Sequence, residues 1–206
     1  MRLQLAVKRS IDIIVSGILL LLTLPVALAA AIVVQCYFPG RQIICAEERV
    51  GMDSRKLNLF KLRTLPVGYP VDPRNITIKI PRLVAIARAL AIDEIPQLLQ
   101  VVLGSMSLIG PSRPLLREEA AVRYGDKAGE VQKKRPGFVS EYGLSLHLHP
   151  APAPWAFDPE ATDQALRYCQ DWSLAADCRI LWTAARLAPR ILVMALLRAG
   201  KARIHA

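Results

Sequence analysis

DIIVSGILLLLTLPVALAAAIVVQCYFPGR, residues 12–41, carries no charged side chain between Asp12 and Arg41. Within it, Ile13 to Val34 is apolar on all sides of a helix, and a run of about 20 such residues is enough to enter or cross a bilayer. Three arrangements fit: a cleaved signal peptide, a spanning helix, and a re-entrant hairpin that returns to its own side. Lys8 and Arg9 followed by Ala27-Leu28-Ala29 have a signal peptide's outline. The apolar run is longer than the usual h-region of about 7–15 residues, however, and Asp12 intrudes at its start. Pro25 sits near the middle, where its ring and missing N–H bend or break a helix, a defect that spanning helices also tolerate. The flanks say more. Lys8 and Arg9 precede the run and Arg41, Arg49, Arg55, Lys56, Lys61 and Arg63 follow it. Positive charge on both sides agrees with both ends lying in the cytoplasm, so the residues favour a kinked re-entrant helix.

Outward from this run, 206 residues make room for one domain with an appended anchor. The expected division is an anchor over 1–38 and a compact cytoplasmic domain over 39–206. Hydrophobic residues make up 53% of the chain and mean hydropathy is +0.30, high enough that some apolar surface should face lipid. A second apolar concentration spans Leu181 to Leu197. The net charge of +10 attracts anions. Only Lys133-Lys134-Arg135 forms a basic run, and no nucleic-acid-binding signature is found, so nucleic acid is not an expected partner. The four cysteines, at 36, 45, 169 and 178, lack metal-ligand spacing and read as reduced core or interface residues. His147 and His149 would share a face in an extended segment, though a loop is the simpler reading.

The remaining pattern predicts an α-rich α/β domain with short strands and interfacial amphipathic helices. Gln42 to Arg63 mixes short apolar runs with charge, as a hairpin does. Pro66–Pro73 and Pro150–Pro159 are Pro-rich loops. Pro81 to Ile92 is helical, Asp93-Glu94-Ile95-Pro96-Gln97 opens a second helix that Gly104 ends, and Glu118 to Lys134 is a polar helix. From Asp163 to about Leu187 apolar residues recur at helical spacing, and Ile191 to Leu197 continues the apolar character between Arg190 and Arg198.

Asp93 and Glu94 therefore sit where a helix begins. That placement suits a cap, and it also suits an ionised carboxylate beside a phosphate, because the positive end of the helix dipole favours both. A nucleophile or a metal ligand is a role such a residue can take, and the pair alone does not choose.

Five further blocks accompany it: Glu48-Arg49-Val50-Gly51, Lys61-Leu62-Arg63-Thr64, Gly104-Ser105-Met106-Ser107-Leu108-Ile109-Gly110-Pro111, Arg135-Pro136-Gly137, and Tyr168 with Asp171-Trp172-Ser173 and Asp177. In this order, with Lys8, Arg9, Asp12 and Pro25 in the anchor, they resemble the bacterial sugar transferase family, the monotopic phosphoglycosyl transferases. The resemblance implies an enzyme at the cytoplasmic face of the bacterial inner membrane. It would transfer a sugar 1-phosphate from a UDP-sugar to polyprenyl (undecaprenyl) phosphate, release UMP and start glycoconjugate or exopolysaccharide assembly. By the same resemblance Asp93 is the nucleophile, Glu94 orients a magnesium ion or relays a proton, and Mg2+ is held by Asp93 and Glu94. Lys61, Arg63, Arg88 and Arg113 hold phosphate oxygens. Inner-membrane lipids are expected partners, and a homo-oligomer is left open. Three departures stand out: Ser112 inserted before Arg113, Leu90-Ala91 where the family has Thr-Ser, and the His- and Pro-rich stretch Phe138 to Pro154. The last supports an alternative, a catalytically weak relative acting as a ligand-binding or scaffold protein.

Overall fold

A computed structural model describes residues 2–40, 42–64, 77–78, 81–148, 158–200 and 204–205. The protein is mostly helical. Helix α1 runs Arg2–Tyr37 with Pro25 inside it, a length of about 54 Å at 1.5 Å per residue. It is one helical element, not two. Pro25 removes a single amide donor, and the Leu- and Ala-rich turns around it are strong helix formers. Only 11% of its most apolar window is buried in protein, so α1 is not an ordinary core helix. Leu21, Leu22 and Ile32 are 71%, 70% and 66% exposed. Yet both halves touch the domain: Asp12 and Ser16 are buried near the start, and Ala27, Ala31 and Val34 near the end.

The predicted hairpin is present. Strand β1 (Ile44–Val50) pairs antiparallel with β2 (Lys56–Leu62), Ile44 opposite Leu62 and Val50 opposite Lys56. Along β2, Leu57 and Leu59 turn inward, the alternation expected of a half-buried strand, and Leu62 at its end is buried as well. A short pair joins β3 (Thr77–Ile78) to β6 (Ile204–His205). Helix α2 (Arg82–Ala89) leads through a 3-10 turn, Ile92–Glu94, into α3 (Pro96–Leu103), which ends at Gly104 with φ 95°. Buried Gln100 fastens α3 to β2. Its amide accepts from the N–H of Phe60 at 2.9 Å and donates to the carbonyl of Asn58 at 2.7 Å. Strand β4 (Ser107–Ile109) runs parallel to β5 (Gly137–Val139). At their ends Gly110 and Gly137 pass so closely that a Cβ on Gly137 would lie 2.2 Å from the Gly110 nitrogen.

Two stretches predicted as single helices are each divided in two. The polar stretch 118–134 divides into α4 (Arg117–Tyr124), a turn at Gly125 with φ 51°, and α5 (Ala128–Val131). The stretch from 163 divides into α7 (Pro159–Gln170) and α8 (Leu174–Gly200). Ser173 starts α8, its hydroxyl accepting from the Ala176 amide at 3.1 Å. After β5 the chain forms α6 (Glu141–Leu148), so His147 lies in a helix rather than an extended segment; His149 and most of both Pro-rich loops fall outside the described residues. The cysteines are free, as expected; Cys36 and Cys178 are exposed and Cys45 and Cys169 half-buried, so none is a core residue.

One core gathers Leu57, Leu59, Ile95, Leu98, Val101, Met106, Leu108 and Ile180 around α3, with Ala27 of α1 joining it. A second, under α4 to α7, holds Leu115, Tyr124, Val131, Tyr142 and Ala165. Along α8, Asp177 and Ile180 are buried while Trp182 and Leu197 are 66% and 63% exposed.

Candidate active site

Helix α3 has a charged constellation at each end, and the two differ in kind. At its start, the chain leaves α2 through Ala91, a non-glycine residue in the left-handed region with φ 53° and ψ 28°. Such backbone is costly for an L-residue with a side chain and is held only where the surroundings impose it. The turn that follows carries Asp93, which is 9% exposed, and Glu94, which is half-buried. Among the described residues neither carboxylate has an ion-pair partner within 4 Å. Burial first, and the charge of Glu94 second, push the Asp93 carboxyl up from 3.8 to about 6, while Arg88 and Lys61 draw it back in part. At neutral pH it is still about nine-tenths ionised. A buried, ionised and basic carboxylate flanked by cations is equipped to attack a phosphorus atom whose oxygens those cations hold.

The two cations arrive from different elements. Arg88 lies in the last turn of α2, and its Nη1 donates to the buried Thr64 Oγ1 at 2.8 Å. Lys61 comes from β2, and its Nζ is 3.5 Å from Glu47 Oε2, which also takes Arg49 Nη2 at 2.5 Å. Burial would raise the Glu47 carboxyl, but Lys61 and Arg49 outweigh it and hold it below the ordinary carboxylate range. Glu47 and Thr64 were missed as site residues in the sequence. Hairpin register could have found Glu47: Cys45 stands opposite Lys61, so Glu47, two residues on, shares its face.

The other expected phosphate ligands have other partners. Arg63 Nε donates to the carbonyl of Gln42 at 3.1 Å, at the open end of the hairpin. Arg113, beyond the inserted Ser112, has its Nη2 3.4 Å from Glu119 Oε1, with Arg123 and Arg49 on the same buried carboxylate. Pro25 lies within α1, remote in sequence from these groups.

At the far end of α3 the charges are paired. Arg9 donates from Nη1 to the carbonyl of Val101 at 2.6 Å and from Nη2 to that of Val102 at 2.7 Å, satisfying the helix's last turn. Lys8 Nζ donates to Asp177 Oδ2 at 2.7 Å and to the Ile109 carbonyl at 3.0 Å. Ser107 donates to Asp12 at 2.6 Å, and Trp172 Nε1 to Asp177 at 3.1 Å. The Tyr168 hydroxyl lies 2.8 Å from Asp177 Oδ1 and 3.0 Å from the Ile109 carbonyl. Burial, with the Asp177 charge, drives its acidity far down, so it remains a donor. Lys8 and Arg9 were expected as flanks of a lipid-embedded run; here they dock α1 on the domain.

The family model for bacterial sugar transferases matches residues 3–189, nearly the whole chain. The chain belongs to that family. Among its relatives, the exopolysaccharide production protein ExoY of Rhizobium meliloti is 29% identical over 200 residues, covering 85% of this chain and 82% of that one. The UDP-glucose:undecaprenyl-phosphate glucose-1-phosphate transferase of Escherichia coli is 31% identical over 192 residues, 85% of this chain and 38% of its own. The UDP-N-acetylgalactosamine-undecaprenyl-phosphate N-acetylgalactosaminephosphotransferase of Aeromonas hydrophila is 31% identical over 109 residues, 51% and 26% of the two chains. For this sugar transferase, the donor set bears on a metal. Among the described residues no group of three or more His, Cys, Asp or Glu side chains converges. Two adjacent carboxylates near Arg88 and Lys61 nonetheless fit magnesium, which is commonly held by one or two carboxylates together with substrate phosphates.

Proposed function

We propose that this sugar transferase moves a sugar 1-phosphate from a UDP-sugar to polyprenyl phosphate, with Asp93 as nucleophile. The observation that carries the reading is the buried, raised Asp93 carboxylate, which has no ion-pair partner among the described residues and feels the charges of Arg88 and Lys61. The names of the Escherichia coli and Aeromonas relatives, both UDP-sugar:undecaprenyl-phosphate transferases, support the substrate class. An Asp93 oxygen attacks the sugar-proximal phosphorus. The bond from that phosphorus to the bridging oxygen breaks, and UMP departs with the oxygen. A phosphate oxygen of the polyprenyl carrier then attacks the same phosphorus and expels Asp93 as a carboxylate. The product is a sugar joined to the carrier through a diphosphate. Arg88 and Lys61 hold the phosphate oxygens, and Thr64 and Glu47 fix their direction. Magnesium, when bound at Asp93 and Glu94, offsets pyrophosphate charge.

We place the reaction at the cytoplasmic face of the bacterial inner membrane, with α1 re-entrant. The contacts of both halves of α1 with one domain support this, because a helix crossing the bilayer would carry one end away from the domain.

The full-length protein in detergent, given magnesium, undecaprenyl phosphate and a panel of UDP-sugars, should release UMP with at least one sugar. Binding of UDP-sugars without UMP release from any would sink the enzyme reading in favour of a catalytically weak scaffold. For topology, single cysteines placed before Lys8 and after Arg41 should react with a membrane-impermeant reagent only from the cytoplasmic side.

A further inference from the structure

We propose that the basic cleft at the far end of α3 binds the phosphate headgroup of an anionic membrane phospholipid; this rests on the membrane reading of α1. The cleft encloses about 350 Å³ between the start of α1 and the segment before β5. Five cations line it, Lys8, Arg9, Lys133, Lys134 and Arg135, against one carboxylate, Asp12. Lys8 and Arg9 are committed to the pairings described above. Lys133 and Arg135 are exposed and have no acidic partner among the described residues. Lys134 Nζ sits 5.2 Å from the centroid of the Trp172 ring, whose N–H is tied to Asp177. Trp172 thus presents a fixed aromatic wall with a cation above it.

Three features distinguish this cleft from the candidate active site and select a lipid. First, it lies beyond the last turn of α3, whereas Asp93 precedes the first; the helix alone puts about 12 Å between them. Second, its depth matches a headgroup. Arg9 is one turn before Ile13, where the apolar run begins. One turn is about 5–6 Å, comparable with the headgroup layer on each side of the hydrocarbon, about 5–7 Å. Third, the walls are mixed: Leu5 and Met52 line the cleft beside the cations, and Leu3 and Leu5 are 78% and 47% exposed. Phosphate would meet the lysines and arginine while the glycerol and first methylenes lie on the apolar wall. An aromatic residue with cations at this level is the composition that membrane interfaces favour.

The test uses the full chain in neutral detergent and reads binding directly by native mass spectrometry and by titration with dihexanoyl phosphatidylglycerol. Phosphatidylglycerol should bind, and dihexanoyl phosphatidylcholine much more weakly. The triple variant K133Q/K134Q/R135Q, altered at side chains outside the core, should lose about 100-fold in affinity, about fivefold for each cation. K133R/K134R should keep it. Equal phosphatidylglycerol binding by wild type and the triple variant overturns the proposal. So does displacement of the lipid by inorganic phosphate or glycerol phosphate at matching concentration, which would make the occupant a soluble phosphate. UMP release is assayed alongside: headgroup binding without turnover would count against the proposed reaction alone, and turnover without headgroup binding against this site alone.

Discussion

The two ends of α3 hold buried charge in opposite ways. At the far end Asp12, Asp177, Lys8 and Arg9 each meet a partner within 2.7 Å, and every group contributes to docking α1 on the domain. At the near end Asp93 is as deeply placed but has no ion-pair partner among the described residues, and the like charge that acts on it is that of Glu94. Burying a charge is tolerable when it is paired and costly when it is not. The far end therefore reads as architecture. The near end keeps an unfavourable carboxylate, and such sites are where chemistry is found.

The sharpest way to break this contrast is Asp93→Asn. UMP release should fall on the order of 10³-fold or more, as in enzymes that lose one member of a covalent catalytic group. Stability should move the other way. A carboxyl raised to about 6 binds its proton more tightly in the folded state; its ionisation therefore subtracts stability as pH rises from about 4 to about 6. Asparagine removes that penalty, and at pH 7 the variant should gain about 1–3 kcal/mol, read as a higher midpoint of thermal unfolding. A variant that is both inactive and less stable would mean that Asp93 is structural.

Asp177→Ala probes the other end. It strands Lys8 and removes acceptors from Tyr168 and Trp172, and breaking a buried pair typically costs about 3–5 kcal/mol. Denaturant unfolding should show this loss, while UMP release per folded molecule is largely kept. Equal damage to turnover would merge the two ends into one functional unit.

Much of this contrast was legible in the sequence, and the reason is local. Asp93-Glu94 before Pro96, with Gly104 eight residues further on, marks a helix with a carboxylate start and a left-handed stop without any tertiary knowledge. The 42–63 hairpin shows in its short apolar runs mixed with charge. Partner choice did not show. That Arg113 meets Glu119 rather than Asp93, and that Lys8 meets Asp177, are contacts between side chains far apart in the chain or redirected by one inserted residue, Ser112. No periodicity encodes them. Helix breaks at Gly125 and Ser173 were missed because hydrophobic spacing continues through both, while a positive φ and a hydroxyl cap interrupt the backbone.

A third measurement concerns a carboxylate paired away from both ends of α3. Asp158 caps α7, accepting from the Ala161 amide at 3.0 Å and from the Tyr142 hydroxyl. Burial would raise its carboxyl, but these bonds hold it below the ordinary value. The stability it contributes is therefore present above the unfolded value of about 3.9 and lost as pH falls through the lower folded one. Asp158→Ala removes a cap and leaves a buried phenol unpaired, so unfolding free energy at pH 7 should drop by about 2 kcal/mol. The deficit should shrink in acid.

The smallest expected effect tests whether the near end stores strain for use. Each end of α3 contains a residue of positive φ: Gly104 at the far end, at 95°, and Ala91 at the near end, at 53°. Glycine adopts that conformation freely, whereas alanine there costs about 1 kcal/mol. Ala91→Gly relieves the strain and adds backbone freedom in the unfolded chain, two effects of similar size, so thermal stability should change by less than about 1 kcal/mol. Catalysis is the informative readout. Ala91 stands two residues before Asp93 in a turn with no side-chain cap, so its stiffness restricts the direction of the proposed nucleophile. If that restriction matters, the variant's kcat falls several-fold with KM unchanged, since the substrate contacts proposed for Lys61 and Arg88 remain. An unchanged kcat would make Ala91 a tolerated cost of the chain's route from α2 into α3, and would leave the unpaired charge of Asp93 as the sole feature separating the two ends.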